Sequence, residues 1–63
     1  MIDTSKLKRI RKGLNKTQMD IAKSCNIAEP YYSEIETGKK TPSLKTAINL
    51  AKSLGVPIDA LLA

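Results

Sequence analysis

The stretch TQMDIAKSCNIAEPYYSEIETG, residues 17–38, contains the signals that decide the fold. Thr17 is a favourable N-cap, and Asp20, three residues later, can complete a capping box. Asn26 follows where the chain needs a tight turn, because Asn adopts a positive φ more readily than most residues. Pro30 suits the first turn of the next helix, where the N–H that it lacks has no helical partner. The stretch therefore predicts two short helices joined by a turn of about three residues, the helix-turn-helix arrangement.

The segment before this stretch has the pattern of a basic amphipathic helix. Leu7, Ile10 and Leu14 recur at i, i+3 and i+7 and predict its apolar face. Residues 3–5, Asp-Thr-Ser, are N-cap candidates. Gly13 lies near the C-terminal end of the helix, where we expect a residue in the left-handed conformation. The positions between the apolar residues are filled by Lys8, Arg9, Arg11 and Lys12.

The segments after the stretch are helical in pattern as well. Gly38 is a C-terminal stop, Ser43 is the N-cap of the clearest amphipathic run in the chain, and Gly55 closes that run. Pro57 can begin a last short helix. The apolar residues of these two segments are Leu44, Ala47, Ile48, Ala51, Leu54, Ile58, Leu61 and Leu62. No segment alternates like a strand, so we expect an all-α, compact five-helix fold that makes one domain of residues 1–63.

The charge of the chain favours an anionic partner. Eleven Lys or Arg against six Asp or Glu give a net charge of +5 and a pI near 9.6. The basic residues crowd the first sixteen positions and recur at Lys39 and Lys40. Nucleic acid is the leading candidate, because neutralising phosphates is a ready source of affinity. A basic surface that binds nothing explains the charge about as well.

Several classes of function lack their residues. The chain has no histidine or tryptophan, and no serine or cysteine has a base at a usable spacing, so we expect no enzyme, metal site, cofactor or small-molecule ligand. Cys25 is the only cysteine and reads as a buried apolar residue. The sequence has no apolar run of membrane-spanning length, and MIDTS at the start lacks the apolar core of a signal peptide. We expect a cytoplasmic protein without a membrane contact.

From Gly13 to Leu62 the chain resembles the Cro/C1-type helix-turn-helix regulators, also called the Xre family, which include the lambdoid phage repressors. The resemblance covers nearly the whole chain at continuous spacing. The segments that carry it are TQMDIA (17–22), Ile27 in the turn, YYSEIETGK (31–39), PS (42–43) and LAKSLGVPIDALL (50–62).

The resemblance implies a lambda repressor-like domain whose third helix enters the major groove while the second crosses the phosphate backbone. It also implies sequence-specific binding of double-stranded DNA and regulation of transcription, as a repressor that works as a homodimer on a two-fold operator. The base-facing positions of the third helix hold Glu29, Pro30, Ser33 and Glu34. The family usually places Arg, Gln, Ser or Asn there.

The two acidic residues at base-facing positions leave alternatives open. A glutamate can accept a hydrogen bond from cytosine N4, so Glu29 and Glu34 can read bases. Glu29 can instead favour the helix N-terminus through the dipole, and Glu34 can pair with a nearby cation.

Other positions match residues that contact DNA in the family. Gln18 is similar to the family's Gln that reaches a phosphate and the outermost base pair, and its amide suits adenine. Thr17 and the helix N-terminus can hold a phosphate, and Tyr31 can lie along the sugar–phosphate edge. Backbone contacts are further expected from Thr37, Lys39 and Lys40. Tyr32 stands where the family has an apolar core residue.

Two further assignments follow from the resemblance. Arg9 and Glu36 are similar to a family ion pair that ties the first helix to the third, and its role is structural. The apolar residues at the C-terminal end are candidates for a weak dimer contact, although completion of the core explains them equally well. These residues are Val56, Ile58, Leu61 and Leu62.

Two rival functions remain at the level of the sequence. A protein-interaction module that keeps the fold without specific DNA binding would explain the acidic third helix. RNA binding is less favoured, because the two tyrosines are the only aromatic residues available for stacking.

Overall fold

The computed structural model describes residues 2–63, and these residues form four α-helices and one 3-10 helix. The elements are α1 (Thr4–Gly13), α2 (Gln18–Ser24), α3 (Glu29–Glu36), α4 (Leu44–Leu54) and the 3-10 helix Ile58–Leu61. The only strand-like pairing in this part of the chain is one antiparallel bridge between Ile2 and Leu62. The all-α, five-helix prediction is confirmed, with the last helix of the 3-10 type.

The helix ends show why these segments fold as they do. The Thr17 hydroxyl accepts from the Asp20 N–H at 3.0 Å, and the Asp20 carboxylate accepts from the Thr17 N–H at 2.8 Å, which completes the predicted capping box. Ser43 caps α4 by accepting from the Thr46 N–H at 3.1 Å. Asn26, with a φ of 57°, makes the predicted turn between α2 and α3.

The left-handed residue after α1 differs from the prediction. Gly13 remains the last helical residue, and Asn15 adopts the positive φ of 58° instead. The reason is that Gly13 is still helical and the Leu14 N–H still bonds to the Ile10 carbonyl at 3.2 Å, so the left-handed conformation falls two residues later than expected. Leu14 caps the helix and is 45 % exposed, so its assignment to the apolar face is wrong.

The core lies where α3 packs against both α1 and α2, with α4 and the 3-10 helix closing it. Its fully buried side chains are Tyr32, Leu7, Ile21, Ile35, Leu50 and Leu61. Tyr32 and Cys25 are buried as predicted, and burial raises the pKa of the Cys25 thiol. On α4, by contrast, Leu44 and Ile48 are exposed although the periodicity placed them on the apolar face.

The two ends of the described chain are tied together. The Asp3 N–H donates to the Leu61 carbonyl at 2.7 Å, and Lys6 Nζ donates to the Leu62 carbonyl at 3.0 Å. These bonds hold the 3-10 helix against α1 and bury Leu61 completely. Leu61 is therefore a core residue, and the prediction that it belongs to a dimer surface is wrong.

Within residues 2–63 the longest helix has 11 residues, and none is both long and apolar enough to cross a bilayer.

Candidate nucleic-acid interface

The outer face of α3 carries four of the residues predicted to face bases. Pro30 is exposed, and Glu29, Ser33 and Glu34 are partly buried, at positions that repeat with the helical period. Tyr31, next to them, packs part of its ring against the core and stays partly accessible. The structure thus gathers the predicted base-facing residues on one accessible helix face.

Residues 37–40, which we call the lysine loop, fold back onto the end of α3. Three donors converge on the Glu34 carbonyl: Lys39 N–H at 2.8 Å, Lys40 N–H at 3.1 Å and the Thr37 hydroxyl at 3.3 Å. Gly38 makes the turn with a φ of 84°, a conformation that favours glycine. These bonds place Lys39 and Lys40, both exposed, beside the outer face of α3.

Lys40 also partly neutralises an acidic residue of that face. Its Nζ lies 3.9 Å from Glu34 Oε1, and the two side chains are 57 % and 40 % exposed. An ion pair this exposed contributes little stability. Its consequence is electrostatic, because it reduces the negative charge that α3 presents.

A buried ion pair connects α1 to α3. Arg11 Nε and Nη2 each donate to one oxygen of Glu36 at 2.8 Å, a bidentate arrangement, and Arg11 Nη1 donates to the Lys16 carbonyl at 2.8 Å. The Arg11 and Glu36 side chains are only 9 % and 2 % exposed. The prediction that Arg9 pairs with Glu36 is wrong, because Arg9 lies on the exposed side of α1.

The helical period explains why Arg11, and not Arg9, pairs with Glu36. Arg11 stands four residues after the buried Leu7 and shares its face, whereas Arg9, two residues after Leu7, points nearly to the opposite side. The apolar spacing of α1 therefore contained the signal that identifies Arg11, and the match to the family pair pointed to the wrong arginine.

Two more side chains donate to the same carboxylate. The Tyr32 hydroxyl donates to Glu36 Oε2 at 2.6 Å, and Gln18 Nε2 donates to Glu36 Oε1 at 3.2 Å. We call Arg11, Gln18, Tyr32 and Glu36 the Glu36 network. It joins α1, the start of α2 and the end of α3. The contact between Gln18 and Glu36 has no signal in the sequence, since no local pattern links residues eighteen positions apart.

The network keeps Glu36 charged although it is buried. Burial by itself raises the pKa of Glu36, but hydrogen bonds from Arg11, Tyr32 and Gln18 outweigh it and lower that pKa to about 2. The hydrogen bond to Glu36 raises the pKa of Arg11. Burial and the neighbouring carboxylate raise the pKa of Tyr32, so its hydroxyl stays a donor.

The start of α2 places its polar groups at the surface. Thr17 is exposed, although its hydroxyl is engaged in capping its own helix. The hydrogen bonds with Thr17 lower the pKa of Asp20 and keep its carboxylate ionised. Gln18 follows, partly buried, with one amide N–H turned towards Glu36.

At the C-terminal end, the other candidates for a dimer contact remain partly accessible. Val56 and Ile58 pack one side against the core, and Leu62 is partly buried. The structure leaves these three residues available for a contact.

A short turn joins the capped helix α2 to α3, and the outer face of α3 is accessible beside basic residues. This is the arrangement of a helix-turn-helix protein. The helix-turn-helix family matches residues 7–61. The chain belongs to this family of DNA-binding transcriptional regulators, of the Cro/C1 type expected from the sequence.

The chain is similar to several curated regulators. It is 44 % identical over 55 residues to the HTH-type transcriptional regulator MJ0272 of Methanocaldococcus jannaschii, covering 87 % of this chain and 83 % of that one. It is 39 % identical over 56 residues to the HTH-type transcriptional regulator YqaE of Bacillus subtilis, covering 89 % of this chain and 48 % of YqaE. It is 34 % identical over 56 residues to the immunity repressor protein of Bacillus phage phi105, covering 89 % of this chain and 39 % of the repressor. The chain thus spans less than half the length of two of these relatives.

Proposed function

We propose that this chain binds a specific double-stranded DNA operator through α3 and represses transcription as a homodimer. The observation that carries the proposal is that the outer face of α3 is accessible and lies beside the lysine loop. Hydrogen bonds to the Glu34 carbonyl hold this loop against the end of α3. A major groove admits one α-helix, and lysines beside it can reach the flanking phosphates. Repression is suggested by the similarity to a phage immunity repressor.

In this proposal the side chains divide into base readers and backbone contacts. Glu29, Ser33 and Glu34 read base edges from α3, with Pro30 against the groove and Gln18 reading from the start of α2. Phosphates and sugars are contacted by Thr17, Tyr31, Thr37, Lys39 and Lys40. The lysines supply affinity that depends on salt, whereas the α3 residues supply sequence preference.

The acidic character of α3 is smaller than the sequence indicates. Glu36, the third acidic residue of the helix, is buried and neutralised by Arg11. Glu34 is partly neutralised by Lys40. The acidic residues left on the accessible face are therefore few enough to select bases with exposed amino groups, above all cytosine, without preventing contact with DNA.

The homodimer is proposed to form through the C-terminal end. One protomer reads only a few base pairs, so two protomers on a two-fold site would be needed for a useful specificity. Val56, Ile58 and Leu62 offer partly accessible apolar surface for a symmetric contact. Sedimentation of the protein alone and on a full palindrome tests this, and a monomer in both cases would contradict it. In this proposal the protein acts in the cytoplasm, where it binds the operator DNA.

The experiment that tests the function is selection of a random duplex library by the purified protein. We expect an enriched motif with two-fold symmetry, and we expect Gln18→Ala and Glu34→Ala to weaken binding to it. Asp59→Ala, exposed on the 3-10 helix away from α3, is the control that removes the same charge as Glu34→Ala.

A protein-interaction module is the second candidate, favoured by the acidic residues that remain on α3. Absence of any enriched sequence, with feeble binding that ignores both substitutions, would support it and overturn the proposal.

A further inference from the structure

The amide of Gln18 is held by a group that can only accept hydrogen bonds. Glu36 Oε1 receives Gln18 Nε2 at 3.2 Å and Arg11 Nη2 at 2.8 Å, while Oε2 receives Arg11 Nε and the Tyr32 hydroxyl. The Glu36 side chain is 2 % exposed, so it cannot move away to make room for another arrangement. Gln18 must therefore turn its NH₂ group, and never its carbonyl oxygen, towards Glu36.

Electrostatics also decides which of the two amide hydrogens is used. One hydrogen lies on the same side as the amide oxygen and the other points away from it. Donating the first would bring the Gln18 oxygen close to the carboxylate of Glu36, and the two would repel. Donating the second turns the oxygen outward and leaves the remaining N–H beside it.

We infer that Glu36 is a positioning residue for base recognition. It fixes the Gln18 amide so that one N–H and the carbonyl oxygen lie side by side, facing away from Glu36. This pair of groups matches adenine, whose N7 accepts and whose N6 amino group donates in the major groove. A side chain already held in this orientation also loses less conformational freedom when it binds. The inference rests on the proposed function, since it assigns a base preference to a residue of the same interface.

The two halves of the inference, orientation and preference, have separate tests. Orientation is tested in the free protein by NMR of the Gln18 side-chain amide. We expect one Nε2 hydrogen to exchange slowly with solvent and the other rapidly, and we expect the slow exchange to disappear in Glu36→Gln. Two rapidly exchanging hydrogens in the wild-type protein would overturn the inference without bearing on DNA binding.

Preference is tested with a double-mutant cycle on the selected duplex. The position read by Gln18 is found as the one where Gln18→Ala abolishes discrimination among the four bases. There we expect wild type to favour adenine by about 5- to 150-fold, the range of one bidentate contact. Glu36→Gln should reduce this preference to within about 3-fold, and it should change the preference no further in the Gln18→Ala background.

Tyr32→Phe is the control that separates positioning from general loss of stability. It removes one hydrogen bond to Glu36 but leaves the contact with Gln18. We expect it to lower the melting temperature and to leave the adenine preference unchanged, with all affinities measured where each variant is folded by circular dichroism. A preference that survives in Glu36→Gln, or that falls equally in Tyr32→Phe, would overturn the inference. Absence of sequence-specific binding in wild type would instead overturn the proposed function.

Discussion

Replacing Arg11 with methionine should destabilise the protein strongly, because it breaks a buried ion pair. Arg11 makes three hydrogen bonds at 2.8 Å, two to Glu36 and one to the Lys16 carbonyl. In Arg11→Met the Glu36 carboxylate, only 2 % exposed, would keep just the bonds from Tyr32 and Gln18. A buried charge would thereby lose its counter-ion.

Removing one partner of such a pair costs about 3–5 kcal/mol. A chain of this length has a total stability of about 3–9 kcal/mol, at 0.05–0.15 kcal/mol for each residue. Arg11→Met should therefore lie at the edge of unfolding at 25 °C, with the melting temperature lowered by about 4–8 °C for each kcal/mol lost. Urea unfolding followed by circular dichroism measures the difference.

The matched control is Arg9→Met on the exposed side of the same helix, which should change stability by no more than about 0.5 kcal/mol. Equal effects of the two substitutions would show that loss of the buried counter-ion is not what destabilises Arg11→Met. A second comparison tests its cause: Arg11→Met combined with Glu36→Leu should recover much of the loss, because replacing a whole buried pair by apolar residues is often neutral.

Four further results are expected. The low pKa of Glu36 stabilises the protein fully at a pH above the ordinary glutamate pKa of 4.5, and this stabilisation is lost as the pH falls towards about 2. The difference in stability between wild type and Glu36→Gln should therefore narrow over that range. Urea unfolding at several pH values measures it. Thr17→Ala removes the capping box of α2 and should lower stability by about 1 kcal/mol, whereas the exposed Thr41→Ala should leave it unchanged. Lys39→Ala should reduce the slope of log affinity against log salt by about 1 for each bound protomer, and an unchanged slope would place Lys39 away from phosphate. Glu34→Gln should weaken a preference for cytosine at one position by about 1–3 kcal/mol. N4-methylcytosine at that position blocks the amino hydrogen that faces the groove. It should weaken binding of wild type by the same amount and leave binding of the variant unchanged.

The sequence predicted the helix-turn-helix because its signals are local. The capping box of Thr17 and Asp20, the positive φ of Asn26 and Pro30 in the first turn of α3 each depend on residues a few positions apart. Such signals can be read along the chain, and they place the accessible face of α3 correctly.

The errors arose where the answer depends on tertiary packing or on an alignment shift. Leu61 is apolar and terminal, so surface and core are equally consistent with its type; the bonds from Asp3 and Lys6 decide for the core. The resemblance points to Arg9, although the spacing from Leu7 identifies Arg11 as the partner of Glu36. The bond from Gln18 to Glu36 joins distant positions and could only come from the structure.

In the proposed function α3 reads a sequence, so the affinity for DNA does not come from charge alone. The most direct measurement compares the affinity of wild type for the selected duplex and for a scrambled duplex of the same length and composition, at about 0.15 M salt. We expect the selected duplex to bind at least about 10³-fold more tightly than the scrambled one. Equal affinities for the two duplexes would contradict sequence reading by α3 and would leave a basic helical protein without an operator.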